Sequence, residues 1–165
     1  MIAGYRFLAE RLRAELQPLE KVVARAEGAM TRAQQSPQDQ DYFISAAALD
    51  LHSFYASTER LFELIAVEID KSQPTTGRWH RDLLAQMGLN VVNVRPAVLS
   101  QSTHAALVDY LEFRHVVRNV YTFNLRPLRV IELIQNVRST FGLVQLDLLA
   151  FANFLDGLST ADEDA

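Results

Sequence analysis

The run Phe113-Arg114-His115-Val116-Val117-Arg118-Asn119-Val120-Tyr121 gathers cations, an imidazole, an amide and a phenol in one short segment. At about 100° per residue on a helix, Tyr110, Arg114, His115, Arg118, Asn119 and Tyr121 fall within roughly half a circle. Phe113, Val116, Val117 and Val120 fill the other half. The expected arrangement is one face in a core and one basic, hydrogen-bonding face outside. Guanidinium forks match phosphate oxygens, so the basic face points to a nucleotide or RNA.

The elements that must position this run read as helices. The first is expected from Ile2 to Gln34, with a bend at Pro18, where a helical hydrogen bond is lost. Ser36-Pro37 resembles a helix start, serine capping and proline fitting the first turn. The second helix then runs to Lys71, with Leu51, Phe54, Tyr55, Thr58, Leu61, Phe62, Ile65 and Ile69 at the three-and-four spacing of a core stripe. Ser72 to Gly77 reads as a turn, Trp79 to Met87 as a short third helix closed by Gly88, and Val91 to Pro96 as a connection. A fourth helix, from Ser100 to Thr122, carries the arginine-rich run. After the break at Asn124-Leu125-Arg126-Pro127, a fifth runs to Leu155, burying residues from Leu128 through Phe154. The sequence therefore predicts an all-α, up-and-down bundle of about five helices over 1–156 and an acidic, disordered tail over 157–165.

Composition agrees with one helical domain. The chain has 165 residues, 49% of them apolar, enough to bury a sizeable core. It contains six Gly and five Pro, a mix that favours helix. With no cysteine, disulfides, thiolate metal sites and cysteine nucleophiles are excluded. His52, His80, His104 and His115 have no metal-ligand spacing, so no metal or cofactor is expected. Charged residues interrupt the N-terminal apolar residues, and no run of about 18 apolar residues occurs. No membrane partner and a cytoplasmic location are the expectation. Charge is uneven: residues 78–138 carry eight arginines against four acids, inside a chain of net charge −4. Those arginines make a phosphate-binding surface or an ordinary solvated helix face.

Arg114, Asn119 and Tyr121, in the order R-x4-N-x-Y, resemble the R-x4-H-x-Y signature of HEPN-domain ribonucleases. The chain is more closely similar to HepT-like toxins, which pair with a minimal nucleotidyltransferase antitoxin of the MntA type. Supporting similarity lies in Leu49-Asp50-Leu51-His52-Ser53-Phe54-Tyr55, in Glu59-Arg60-Leu61-Phe62-Glu63 and in Arg78-Trp79-His80-Arg81-Asp82-Leu83-Leu84, so it spans roughly residues 42–138. The resemblance implies an all-helical homodimer whose two motifs form one cleft. It implies metal-independent cleavage of transfer or messenger RNA by attack of the 2′-hydroxyl on the adjacent phosphate. In that scheme the motif histidine moves a proton and the arginine stabilises the phosphorane. It further implies that the antitoxin transfers AMP to Tyr121, placing bulk and negative charge in the RNA cleft.

One position departs from the signature. Asn119 stands where the family has histidine, and an amide can hydrogen-bond but cannot act as general acid or base. The chain is then either an inactivated form of a lethal ribonuclease or a natural, non-cleaving member; the intact remainder of the motif favours the first. His115 lies one turn below Asn119 and is a poor substitute. His115 and Arg118 are expected to contact RNA phosphate, although Arg118 in an ion pair with Glu112 or Glu59 is an equal alternative. Glu59, set among apolar neighbours, is expected to pair with a motif arginine and orient it. His52 reads as structural, and Trp79-His80 as a packing anchor at the edge of the basic surface. A competing assignment is a non-catalytic HEPN module that binds a nucleotide or a partner protein. A third is an inert structural bundle.

Overall fold

The computed structural model of the protein describes residues 2–119 and 124–165. Among these, five α-helices follow one another: α1 (Ile2–Gln35), α2 (Gln40–Ile65), α3 (Trp79–Met87), α4 (Gln101–Asn119) and α5 (Pro127–Glu163). The all-α bundle expected from the apolar periodicity is the fold. α1 packs along both α2 and α5, and α2 also meets α3, α4 and α5. Leu12, Leu19, Val23, Phe54, Phe62, Val137, Val144 and Leu148 are all buried in this continuous core. The expected α2 stripe is buried from Leu51 through Ile65, with Ile69 half-buried at its end. α5 has the length and apolar composition of a membrane-crossing helix. In the bundle it lays one apolar face, from Val130 to Leu155, on the core.

Several boundaries differ from the sequence expectation. α1 continues through Pro18 as one helix. Ser36 makes no side-chain cap; a 3-10 turn at Pro37–Asp39 comes first, and α2 begins at Gln40. Leu128, expected in the core, is 80% exposed, because two residues at about 100° each set it on the side of α5 opposite the fully buried Val130. The acidic tail over 157–165 is corrected most: α5 runs on to Glu163 instead of ending at Leu155. Ser159 is buried, and Arg6 of α1 pairs with Glu163 at 2.9 Å. α1 extends far enough to give the last turns of α5 a partner. Expected residues 120–122 of the fourth helix lie outside the described residues.

The short α3 is tied down by polar contacts. α2 passes into a π-helical turn at Ala66–Asp70, and Lys71 ends it in the left-handed region, at φ 53°. Asp70 receives two hydrogen bonds from Arg95, Nε to Oδ1 at 2.5 Å and Nη2 to Oδ2 at 2.7 Å. Arg95 is fully enclosed and also donates to the carbonyls of Gln86, Leu89 and Pro96. Gln86 of α3 donates to Asp70 Oδ2 and to the Ser72 carbonyl. One buried cation thus fastens the end of α2, the end of α3 and the loop before α4.

A buried ion pair is most costly when only one member is removed, because the survivor stays charged and unpaired. Asp70→Asn is therefore expected to lower stability by about 3 kcal/mol, read as a drop in the urea midpoint. A change below about 0.5 kcal/mol would show that Arg95 is held by carbonyls alone.

Candidate active site between the third and fourth helices

The N-terminus of α3 is built by Thr76. Its hydroxyl accepts the Arg78 N–H at 3.2 Å and donates to Asp82 Oδ2 at 2.7 Å, while its carbonyl accepts the Trp79 N–H at 3.1 Å. This start places His80 one position into the helix, facing α2. α4 begins at a true serine cap: the Ser100 hydroxyl accepts the Thr103 N–H, and Asp147 of α5 accepts the Ser100 N–H at 2.9 Å. Between α3 and α4 lies a cavity of about 670 Å³, walled by Arg78, His80 and Arg81 on one side and by Glu112, Arg114 and His115 on the other.

Behind this cavity three side chains from three helices form a chain. His80 Nδ1 lies 2.8 Å from Glu59 Oε2, and Arg114 Nη1 lies 3.4 Å from His80 Nε2. Glu59 is only 4% exposed. A carboxylate accepts and a guanidinium donates, so both contacts are satisfied by the neutral imidazole with its proton on Nδ1. His80 is also packed on the Trp79 ring, at a centroid distance of 3.5 Å. Arg114 Nε and the Tyr55 hydroxyl are buried without a hydrogen-bond partner among the described residues. Burial, and then the charge of Glu59, push the Tyr55 phenol well above its ordinary range, so it stays protonated.

The structure distributes the residues picked from sequence unevenly. Arg114 is half-buried at the cavity, and His115 is exposed on its wall. Glu59 is buried as expected, but it pairs with His80 and reaches Arg114 only through that ring. Arg118 is exposed and pairs with neither Glu59 nor Glu112; Glu112 lies 3.6 Å from Arg81 instead. Asn119 turns its amide back, donating to the His115 carbonyl at 2.8 Å. Tyr121 lies outside the described residues. The helical-wheel division also needs correction. Tyr110, assigned to the polar half, is buried and donates to the Leu133 carbonyl at 2.7 Å. Val116, assigned to the apolar half, is 42% exposed at the cavity. α5 covers the Tyr110 side of α4, while the Val116 side opens on the cavity.

The eight arginines of residues 78–138 likewise separate by role. Arg95 is the internal clamp. Arg129 pairs with Asp109 and Glu132, and Arg138 with Glu20 and Glu27. Among the described residues, Arg78, Arg114, Arg118 and Arg126 form no ion pair with an acid, and Arg78 and Arg114 line the cavity. His52, two turns before Glu59 on α2, feels the same cations. Its pKa is lowered by burial first, then by the charges of Arg114 and Arg118. Among the described residues, no group of three or more His, Asp or Glu side chains is arranged to hold a metal ion.

The fold and site together are those of an all-α helical domain with an arginine and a carboxylate-bound histidine at one cavity. Residues 46–155 match the family model of HepT-like proteins, and the chain belongs to that family, a branch of the HEPN superfamily. No curated protein and no solved structure matches the chain. The matched segment contains Glu59, His80, Arg114 and Asn119.

His80 is the residue that sequence reasoning undervalued. Its place beside Trp79 in a short amphipathic helix favoured a packing role, and its partner Glu59 is 21 positions away. The paired observation of a carboxylate inside an apolar stripe and a histidine on a neighbouring helix was the available clue.

Because Arg114 and Arg118 both disfavour the imidazolium of His52, Arg118→Gln is expected to raise the His52 titration midpoint. The parent midpoint should lie below the ordinary 6.5. A ¹H NMR pH titration checks both, and an unmoved midpoint in the variant would place Arg118 out of reach of His52.

Proposed function

We propose that this HepT-like protein is the ribonuclease toxin of a toxin–antitoxin pair, acting on RNA phosphodiesters at the cavity between α3 and α4. The observation that carries this reading is Arg114. It is the motif arginine, it lines a basic cavity, and its Nε is a buried donor with no partner among the described residues. A buried donor left unpaired costs about 1–3 kcal/mol, and a phosphate oxygen is a fitting acceptor for it. In the proposed reaction the 2′-hydroxyl attacks phosphorus, the P–O5′ bond breaks, and Arg114 stabilises the charge gathering on the equatorial oxygens. The products carry a 2′,3′-cyclic phosphate and a 5′-hydroxyl.

The remaining parts of the proposal extend the HepT-like reading. Two copies of the chain form a homodimer that joins their cavities. A nucleotidyltransferase antitoxin silences the toxin by adding AMP to Tyr121. The setting is the cytoplasm, where transfer and messenger RNA are present. The Asn119 amide neither takes up nor gives up a proton near neutral pH, so the chain works below the rate of a member with histidine there. The second reading, a nucleotide-binding module without cleavage, is favoured by the Asn119 amide, which is engaged with its own helix at the His115 carbonyl.

The test is cleavage of total RNA in the presence of a chelator, with the fragment ends analysed for cyclic phosphate. Asn119→His is expected to cleave about 100-fold faster than the parent or more, the scale of a placed acid–base group. Arg114→Ala in that background should lose a similar factor. Folded Asn119→His protein that leaves RNA intact would overturn the ribonuclease reading and leave the binding module.

A further inference from the structure

We infer that His80, oriented by Glu59, supplies the imidazole of this site and transfers the proton that Asn119 cannot. The inference rests on the ribonuclease reading and assigns its missing group. Four observations converge on it. His80 lies on the wall of the same cavity as Arg114. Its Nδ1 is fixed by a carboxylate that is almost completely buried, at 2.8 Å. That bond leaves the Nε2 lone pair as the free basic site of the ring. The hydrogen-bond partner of Nε2 among the described residues is Arg114 Nη1 at 3.4 Å, longer than the 2.7–3.2 Å of a firm N–H bond. A weakly held lone pair beside a phosphate-binding guanidinium is what a general base requires.

The step balances with water as the only other participant. The 2′-hydroxyl proton passes to His80 Nε2 as O2′ bonds to phosphorus. The P–O5′ bond breaks, and the departing 5′ oxygen takes a proton from solvent water. The imidazolium then returns its proton to the resulting hydroxide. Glu59 is a positioning residue in this scheme. It holds the ring by Nδ1, while it stays 21 positions away in sequence and out of the cavity. The Trp79 ring limits rotation of the imidazole from the other side. The charged and titratable groups around His80 are Glu59 and Glu63 from α2, Arg78 and Arg81 on either side of it in sequence, and Glu112, Arg114 and His115 from α4. The pKa of Glu63 is raised by burial first, then by the charge of Glu59.

The experiment is single-turnover cleavage of a defined RNA in chelator, across pH 5 to 9, by the parent chain, His80→Gln, Glu59→Gln, Asn119→His and the control His104→Gln on the distant start of α4. Thermal unfolding confirms that each variant is folded. The parent is expected to cleave, with a rate that rises with pH to a plateau. His80→Gln should fall by about 100-fold or more and lose the rising limb, while His104→Gln keeps both. Glu59→Gln should slow the cleavage step at saturating protein while leaving the protein concentration for half-maximal rate unchanged, because the ring has lost the carboxylate that orients it; a merely structural role would not separate the two. If His80→Gln fails to fold, that separation in Glu59→Gln decides the matter alone. Cleavage by Asn119→His with a silent parent would overturn the role of His80 while the ribonuclease reading stands. An active parent with an unchanged His80→Gln profile would do the same. Silence of every folded variant would overturn both.

Discussion

A carboxylate buried in the apolar stripe of a helix is the constraint on which this site depends. Glu59 stands between Thr58 and Leu61, all three withdrawn from solvent, and a bare charge there would be strongly unfavourable. Its compensation is a ring nitrogen from α3. The bundle must therefore bring the first turn of α3 against the C-terminal third of α2, and it must keep α3 there with little core of its own. Only Leu83, Leu84 and Met87 of α3 are buried. The enclosed Arg95–Asp70 clamp and the Thr76 start of the helix provide the remaining fixation. The polar interior thus follows a single logic, in which buried charges fix a short helix that hydrophobic contact alone would hold loosely.

Arginine content misleads when read as surface charge. In this chain the same residue type clamps a loop internally, ties α5 to α1 at Arg138, braces α4 against α5 at Arg129 and lines a cavity at Arg114. What separates these roles is whether an acid lies within reach. α1 supplies Glu20 and Glu27 to Arg138, and Asp70 is buried beside Arg95. Arg114 meets an imidazole, a weaker acceptor, and keeps one donor unpaired among the described residues. A cation with incomplete local compensation is the one able to engage an external anion.

Much of the architecture was legible because helix periodicity is a local property. Trp79–Met87 appears with its expected ends, bounded by a turn before it and Gly88 after it. The α2 stripe from Leu51 to Ile65 is buried as its spacing requires. The errors fall where a neighbour decides. Ser36 looked like a cap, but Pro37 starts a 3-10 turn and the serine bonds nothing at the helix start. The acidic tail looked disordered, but α1 reaches it and Arg6 meets Glu163. Tyr110 and Val116 exchanged faces relative to the wheel, because α5 covers one flank of α4 and leaves the other open.

By itself the sequence determined the helical class, the apolar faces and the residue types able to bind phosphate and move protons. It also determined that Asn119 breaks the family signature, since an amide's chemistry does not depend on its surroundings. Only the tertiary structure decided which imidazole stands beside Arg114. Glu59 and His80 are 21 positions apart and His80 and Arg114 are 34 apart, on three different helices. Their meeting depends on the axial register and rotation of one helix against another. Those quantities are set by the packing of the whole core and leave no periodic trace in any single segment.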